Sequence, residues 1–114
     1  MYVSVRFRGK DELIMDKVLV DTGATFTVMP LDIAEKYFYE TPLEAELKLG
    51  DGRAVKAKVF MAEVEIEGRK GPARIMAFSN ATPVIGIDTL EMLGLKVDSV
   101  TGKIERSEHY MLYV

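Results

Sequence analysis

The sequence predicts an all-β domain, a small closed or nearly closed barrel with two short helices. Two observations carry this prediction. Short stretches in which apolar and polar residues alternate, or β-branched residues cluster, recur along the chain, and glycine-containing breaks separate them. Only two segments have the pattern of a short helix, and no linker or low-complexity segment interrupts the 114 residues. We therefore expect one domain that spans residues 1–114.

The first half of the chain contains two predicted hairpins and one helix. The first hairpin turns at the break around Gly9, and the Asp-Gly step at Asp51 and Gly52 is typical of a type I′ hairpin turn. Pro30 suits the first turn of a helix, since its missing N–H has no helical partner there. In order, the predicted segments are strands at 2–8, 13–20 and 26–29, a helix at 30–37, and strands at 44–49 and 53–67.

The second half repeats the theme of short strands and adds a second helix. Asp88 is placed as the N-cap of that helix, with Glu91 three residues later as in a capping box, and Gly94 is placed to end it. In order, the predicted segments are a turn at 68–71, a strand at 73–78, an apolar run at 84–86, a helix at 88–93, a hairpin of 95–99 and 103–105, and a strand at 110–114.

Composition excludes several classes of function. The net charge of -3 and the pI near 5.2 give no basic surface for nucleic acid. The absence of cysteine excludes disulfides and thiolate metal sites, and His109, the only histidine, has no sequence partner for a metal or a catalytic triad. No apolar run approaches the roughly 20 residues that span a bilayer, and the N-terminus alternates where a signal peptide would be continuously apolar. We expect a cytoplasmic protein with no cofactor, no metal, no nucleic acid and no membrane partner.

The most informative motif is an acid that follows an apolar run and precedes a glycine. Asp21 comes directly after the β-branched run 18–20 and leads into Thr22, Gly23 and Ala24, so a strand delivers a carboxylate into a tight turn. We expect Asp21 to lie inside, near the strand end, where a lone charge is costly and function is often its reason. The alternative interpretation is an ordinary turn aspartate that caps its own backbone.

Together with a second element, this motif resembles the retropepsin-like aspartic proteases, single-domain enzymes that dimerise to make one active site. The second element is the apolar pair Val84 and Ile85 followed by Gly86, with a helix behind it, at the spacing that the family uses. The hairpin at Gly50, Asp51 and Gly52 stands where the family has its flap. The resemblance covers roughly residues 13–94 and is strongest with the small bacterial and archaeal members.

The resemblance implies an endopeptidase whose two catalytic carboxylates come from two chains. One carboxylate takes a proton from water while the other, protonated, polarises the scissile carbonyl. One chain supplies a single such acid, so Asp21 and its mate would meet on the two-fold axis of a homodimer. The implied partners are therefore a second copy of the chain and a peptide or protein substrate.

The resemblance also assigns roles around Asp21. Thr22 would hold the two active-site turns together across the axis, and Gly23 would offer its backbone to the substrate. Gly50, Asp51 and Gly52 would form a flap that closes over an extended peptide. The alternative interpretations are a β-branched residue in a turn for Thr22 and an ordinary exposed hairpin for the flap.

The chain departs from the viral members at two positions. Those members have an acid four residues after the catalytic aspartate and an arginine just after the later glycine, which pair with each other; Thr25 and Ile87 stand here instead. Both partners are missing together, so no orphan charge remains, but the substrate loses an anchor. The chain also continues about twenty residues past Gly94, and the segment 110–114 is predicted as a strand of a different dimer sheet.

Two further hypotheses remain open on the sequence. A catalytically inactive peptide-binding or dimerisation module of the same fold would bind extended peptides without cutting them. An all-β domain that uses Asp21 only as a turn residue would be a monomer.

Overall fold

The computed structural model describes residues 1–106. Within them lie nine strands and two helices: β1 (Tyr2–Arg8), β2 (Glu12–Val20), β3 (Thr27–Pro30), α1 (Leu31–Tyr37), β4 (Tyr39–Lys48), β5 (Ala54–Ile66), β6 (Arg69–Phe78), β7 (Val84–Ile85), α2 (Ile87–Met92), β8 (Leu95–Val97) and β9 (Ile104–Arg106). The largely β composition and the two short helices confirm the coarse prediction. The predicted strand at 110–114 and His109 lie outside the described residues.

Seven strands form one mixed sheet that closes on itself. Its order is β1-β2-β7-β3-β6-β5-β4, and a further antiparallel pairing of β1 with β5 joins six of these strands into a ring. β4 extends from β5 outside the ring, and β8 pairs with β9 in a separate small hairpin. The feature that matters for the site is β7, which is inserted between β2, to which it is parallel, and β3, to which it is antiparallel.

The alternation of the strands places one set of side chains inside the ring. In β1 the inward residues are Val3, Val5 and Phe7, and the residues between them face outward. The main core joins these to residues of the other ring strands and of both helices. A smaller cluster of Ala57, Val59 and Met76 lies on the other side of β5 and β6.

Two predicted turns differ from the structure. The type I′ hairpin turn occurs at Glu67 and Gly68, where both residues have positive φ (53° and 77°), and not at Asp51 and Gly52. As a result β5 and β6 pair from Ile66 and Arg69 onward, and the predicted turn at 68–71 is shorter than expected. β4 also begins earlier than predicted, directly after α1.

Both helices begin differently from their predicted caps. Pro30 is the N-cap of α1 and the last residue of β3, so the helix begins one residue later than predicted. The N-cap of α2 is Gly86, with no side-chain cap, so the capping box of Asp88 and Glu91 is wrong. The reason is that the N–H groups of Ile87 and Asp88 already donate to backbone carbonyls. No helix among residues 1–106 is long and apolar enough to cross a membrane.

Candidate active site

Asp21 opens the turn that follows β2. Its carbonyl accepts the N–H of Ala24 at 3.1 Å, and its Oδ1 accepts the N–H of Gly23 at 2.9 Å. Val20 before it is buried, but Asp21 itself is exposed. The expectation that Asp21 lies inside is therefore wrong for the single chain, because the turn projects from the end of the strand beyond the core.

The second predicted element lies directly beside this turn. β7 pairs with the end of β2, so that Leu19 faces Val84 and Val20 faces Ile85. The pairing continues past the strand, since Asp21 donates its N–H to the carbonyl of Ile85 at 3.0 Å. Two segments more than sixty positions apart in the sequence thus meet at Asp21.

Gly86 allows the two segments to cross at close range, and we call the place where Gly86 meets Phe26 the crossing. A Cβ atom on Gly86 would lie 2.8 Å from the backbone nitrogen of Phe26 and nearer still to its carbonyl. Backbone cannot move aside as a flexible side chain can, so only glycine fits here. Beyond the crossing, Ile87 donates its N–H to Ala24 O and Asp88 donates to Thr25 O, each at 2.9 Å.

Two hydroxyls at this crossing are not among the predicted site residues. Thr27 and Thr89 are both buried, and their Oγ1 atoms lie 2.6 Å apart. Thr27 Oγ1 also accepts the N–H of Gly86 at 3.1 Å. The period of two along β3 would have placed Thr27 on the same inward face as Met29, and this is the signal that was available.

Asp21 lies in an open groove of about 600 Å³ between the site turn and the hairpin formed by β4 and β5. We call residues 21–26 the site turn and residues 49–53 the hairpin loop. The groove is lined by Asp21, Gly23, Ala24, Thr25, Phe26, Val28, Glu46, Leu47, Lys48, Leu49, Gly50, Arg53, Phe78, Asn80, Ala81, Thr82 and Val84. The structure therefore brings the predicted acid, its turn, the later apolar element and the hairpin loop to one place.

The predicted residues divide according to whether they line the groove. Gly23, Ala24, Gly50 and Val84 line it together with Asp21. Thr22 is exposed but lies outside the groove lining, and so do Asp51, Gly52, Ile85 and Gly86. The apolar residues Phe26, Val28, Leu47 and Phe78 were not predicted as site residues; they join the groove to the smaller core cluster.

The hairpin loop has a tight geometry of its own. Gly52 donates its N–H to Leu49 O at 2.9 Å and has a φ of 90°, while Leu49 donates to Arg53 O at 2.8 Å. This is a three-residue loop closed by a glycine at positive φ. Asp51 accepts the backbone N–H of Arg53 through Oδ1 (3.0 Å) and its guanidinium through Oδ2 (2.8 Å).

The hydrogen bonds to Asp51 favour its charged form. The backbone N–H of Arg53, and after it the guanidinium of the same residue, hold the pKa of the Asp51 carboxyl below its ordinary value. The loop is therefore built around an ionised carboxylate.

The two positions that depart from the viral pattern make backbone contacts, and an ion pair lies next to them. Thr25 and Ile87 contribute a carbonyl and an N–H to the crossing. One residue further on, Asp88 Oδ2 accepts from Arg74 Nη2 at 2.9 Å. The Arg74 guanidinium also lies 5.4 Å from the centroid of the Phe26 ring, at the edge of the groove.

Within residues 1–106, no group of three or more acidic or histidine side chains is placed to hold a metal ion. No protein-family model matches the chain, and no curated protein matches it.

Proposed function

We propose that this chain is one half of a homodimeric aspartic endopeptidase with a closed barrel of the retropepsin-like type. The observation that carries the proposal is the position of Asp21. It is an exposed carboxylate at a strand end, joined by its own N–H to the Ile85–Gly86 element and open to a groove that the hairpin loop also lines. A groove of about 600 Å³ has the size of a ligand site.

The exposure of Asp21 supports a site shared between two chains. Peptide hydrolysis by carboxylates needs two of them close together, sharing one proton. Asp21 is the only acid of the site turn, and its surface position leaves room for a mate across a two-fold axis. Burial, and the coupling between the two carboxyls that comes with it, would then arise on dimerisation.

The contacts of the site turn suit the chemistry. The N–H of Gly23 fixes Oδ1 and thereby the rotation of the carboxylate. Among the described residues Oδ2 has no hydrogen-bond partner, so it is available to a water or to the second carboxyl. In the dimer one Asp21 takes the proton of the attacking water, and the other, protonated, polarises the scissile carbonyl.

The surrounding residues fit the roles that the proposal gives them. Thr22 is exposed and lies outside the groove lining, as a residue that bonds the partner's turn would. Gly23 lines the groove and exposes backbone there. The hairpin loop acts as the flap: Leu49, Gly50 and Arg53 line the groove, so an extended peptide would lie between them and Asp21.

A second candidate function is a catalytically inactive module of the same fold that binds peptides or dimerises. The observation that favours it is the replacement of the acid and arginine of the viral site by Thr25 and Ile87. The ion pair of Asp88 and Arg74 lies beside Phe26 at the rim of the groove but does not line the groove itself. Such a module would retain peptides and cut none.

The test is the substitution D21N, assayed with a mixed peptide library from acidic to neutral pH. The amide oxygen of asparagine can still accept the Gly23 N–H, so the fold and the dimer should persist while cleavage is abolished. The matched control is D98N: Asp98 Oδ1 accepts the N–H of Val100 at 2.8 Å in the same i to i+2 geometry, and Asp98 does not line the groove. D98N should cleave as the wild type does.

Each outcome separates the candidates. Full activity in D21N would eliminate the aspartic protease. Peptides bound but uncut by the wild type at every pH would favour the inactive module. A wild-type chain that is monomeric by light scattering, and neither binds nor cuts, would leave Asp21 as a turn residue.

A further inference from the structure

Thr27 and Thr89 form the polar centre of the crossing beside Asp21. They are the only polar residues that are buried within residues 1–106, at 0% and 1% exposure. We propose that this hydroxyl pair positions Asp21 for catalysis by fixing Gly86 against the site turn. The inference rests on the proposed function, because it assigns positioning residues to that same site.

The hydroxyl of Thr27 supplies a side-chain bond to a crossing otherwise held by backbone. Asp21 is bonded to Ile85, and Ile87 and Asp88 are bonded to the carbonyls of residues 24 and 25. Gly86 lies between these contacts, and its N–H donates to Thr27 Oγ1. The hydrogen bond from Gly86 to Thr27 is therefore one residue away from the Ile85 carbonyl, which accepts the N–H of Asp21.

The direction of the hydrogen bonds follows from their two ends. At one end the Gly86 N–H can only donate, so Thr27 Oγ1 accepts from it and has its own hydrogen to give. At the other end Thr89 Oγ1 donates, over a long 3.5 Å, to the carboxylate oxygen Oδ1 of Asp88. Either hydroxyl can donate in the 2.6 Å bond between Thr27 and Thr89, and with Thr89 donating to Asp88 the donor in that bond is Thr27.

This directed chain connects the crossing to the surface. Asp88 Oδ2 accepts from Arg74, so the ion pair fixes the carboxylate in which the chain ends. The chain thus runs from Gly86 through Thr27 and Thr89 to the Asp88–Arg74 pair.

Loss of the Thr27 hydroxyl would weaken the crossing next to the residues that hold Asp21 in place. The Gly86 N–H would be left without this acceptor in a buried place, and the tight approach of Gly86 to Phe26 would relax. Ile85 would move with Gly86, and the backbone of Asp21 with Ile85. A misplacement of about 1 Å at reacting groups costs about 10²-fold in rate.

The test compares Thr27→Val with Thr27→Ser. Valine keeps the shape of threonine without the hydroxyl, and serine keeps the hydroxyl without the methyl. We expect T27V to lower kcat by about 10²-fold with little change in KM, and T27S to restore most of it. T89V should lower kcat less than T27V, since it removes only the partner of the first hydroxyl.

The control for a general loss of stability is V5A. Val5 is fully buried in β1, on a strand that contributes no groove residue, so V5A should destabilise the fold and keep the wild-type kcat. A merely structural role for Thr27 predicts that T27V behaves like V5A. That result, or a T27S as poor as T27V, would overturn the inference.

A second readout separates this inference from the proposed function. In ¹⁵N- and ¹³C-labelled protein, T27V should move the amide signal of Gly86 and the carboxyl carbon signal of Asp21, while V5A, which only destabilises the fold, moves neither. If the wild type cleaves no peptide and these signals move in T27V, the proposed function fails and the positioning of Asp21 stands. If the signals stay in place, the positioning role fails whatever the activity.

Discussion

At the residue scale, Asp21 is one of three aspartates within residues 1–106 whose Oδ1 accepts a backbone N–H two residues onward; Asp51 and Asp98 make the same contact. Capping a turn therefore does not distinguish Asp21 from the others. Its distinction is that its N–H pairs with Ile85 and that its carboxylate lines the groove. The interpretation of Asp21 as an ordinary turn aspartate describes its local geometry correctly. Its long-range contact with Ile85 is what supports a function.

Gly86 provides a residue-scale prediction. In G86A the new methyl group would meet the backbone of Phe26, which cannot rotate away, so the crossing must open. We expect a loss of about 1–3 kcal/mol of unfolding free energy, as for other overpacked sites, together with loss of cleavage. Urea unfolding followed by fluorescence or circular dichroism measures the first quantity.

The matched control for that loss of stability is G50A. Gly50 has nothing within 4 Å of the position of an added Cβ and does not have a positive φ, so G50A should unfold at the wild-type denaturant midpoint. Equal stability of G86A and G50A would contradict the close approach at the crossing.

The sequence predicted the backbone residues of this crossing better than its side chains. Asp21, Gly23 and Gly86 stand out in the sequence because an acid or a glycine is unusual after an apolar run. Thr27 and Thr89 do not, because threonine is common in strands and turns, and its hydroxyl acquires a role only when residues 62 positions apart are brought together. Burial of Asp21 was predicted from the cost of a lone charge, but a charge at a strand end avoids that cost by facing solvent.

At the element scale, the hairpin loop has a tip held by hydrogen bonds and a side that lines the groove. Its three-residue turn closes on Gly52, and Asp51 ties both the N–H and the guanidinium of Arg53 on the outer side. Leu49, Gly50 and Arg53 line the groove. A flap of this build would move as a unit over the groove, bending in the strands and not at its tip.

The ionised Asp51 makes the tip sensitive to acid. Because its pKa is lowered in the folded loop, the carboxylate stabilises the loop above the ordinary aspartate pKa of about 3.9, and this contribution is lost as the pH falls through the lowered pKa. We expect the Arg53 amide proton signal to stay constant from neutral pH down to about pH 5 and to shift only below about pH 4.

The control for this titration is D51N, which keeps an oxygen acceptor but has no proton to gain. Its Arg53 signal should show no acid transition over the same range. A transition in the wild type at or above the ordinary aspartate pKa would contradict the bonded geometry, and one that persists in D51N would assign it to another group.

The elements themselves follow from sequence patterns wherever the cause is local. Alternation located β1 and β2 almost to the residue, and Gly94, with a φ of 65°, ends α2 as predicted. The start of α2 was missed because its first N–H groups bond carbonyls of the site turn, which are distant in the sequence. The two hydrogen bonds that replace the predicted capping box are also the ones that hold the crossing together.

At the scale of the whole molecule, the ring places Asp21 on one side of the groove, and Glu46 of β4 also lines it. Six strands close the ring, and β7 inside it brings residues 84–86 to Asp21. The site turn contains no second acid, so the proposed dyad takes its second Asp21 from another copy of the chain. The length of the sequence and its single acidic motif already indicated a site shared by two chains. Neither could show where the groove lies.

Mixing wild-type chains with an equal amount of D21N tests that requirement directly. If the two are unfolded together and refolded, random pairing leaves a quarter of the dimers fully wild type, so cleavage per wild-type chain should fall to about half. If each chain acts alone, or if one Asp21 per dimer suffices, cleavage will not fall. Mixing with D98N is the control, because this variant keeps Asp21 and its mixed dimers should be fully active. A fall to half with D21N, and none with D98N, would mean that each active site needs an Asp21 from both chains.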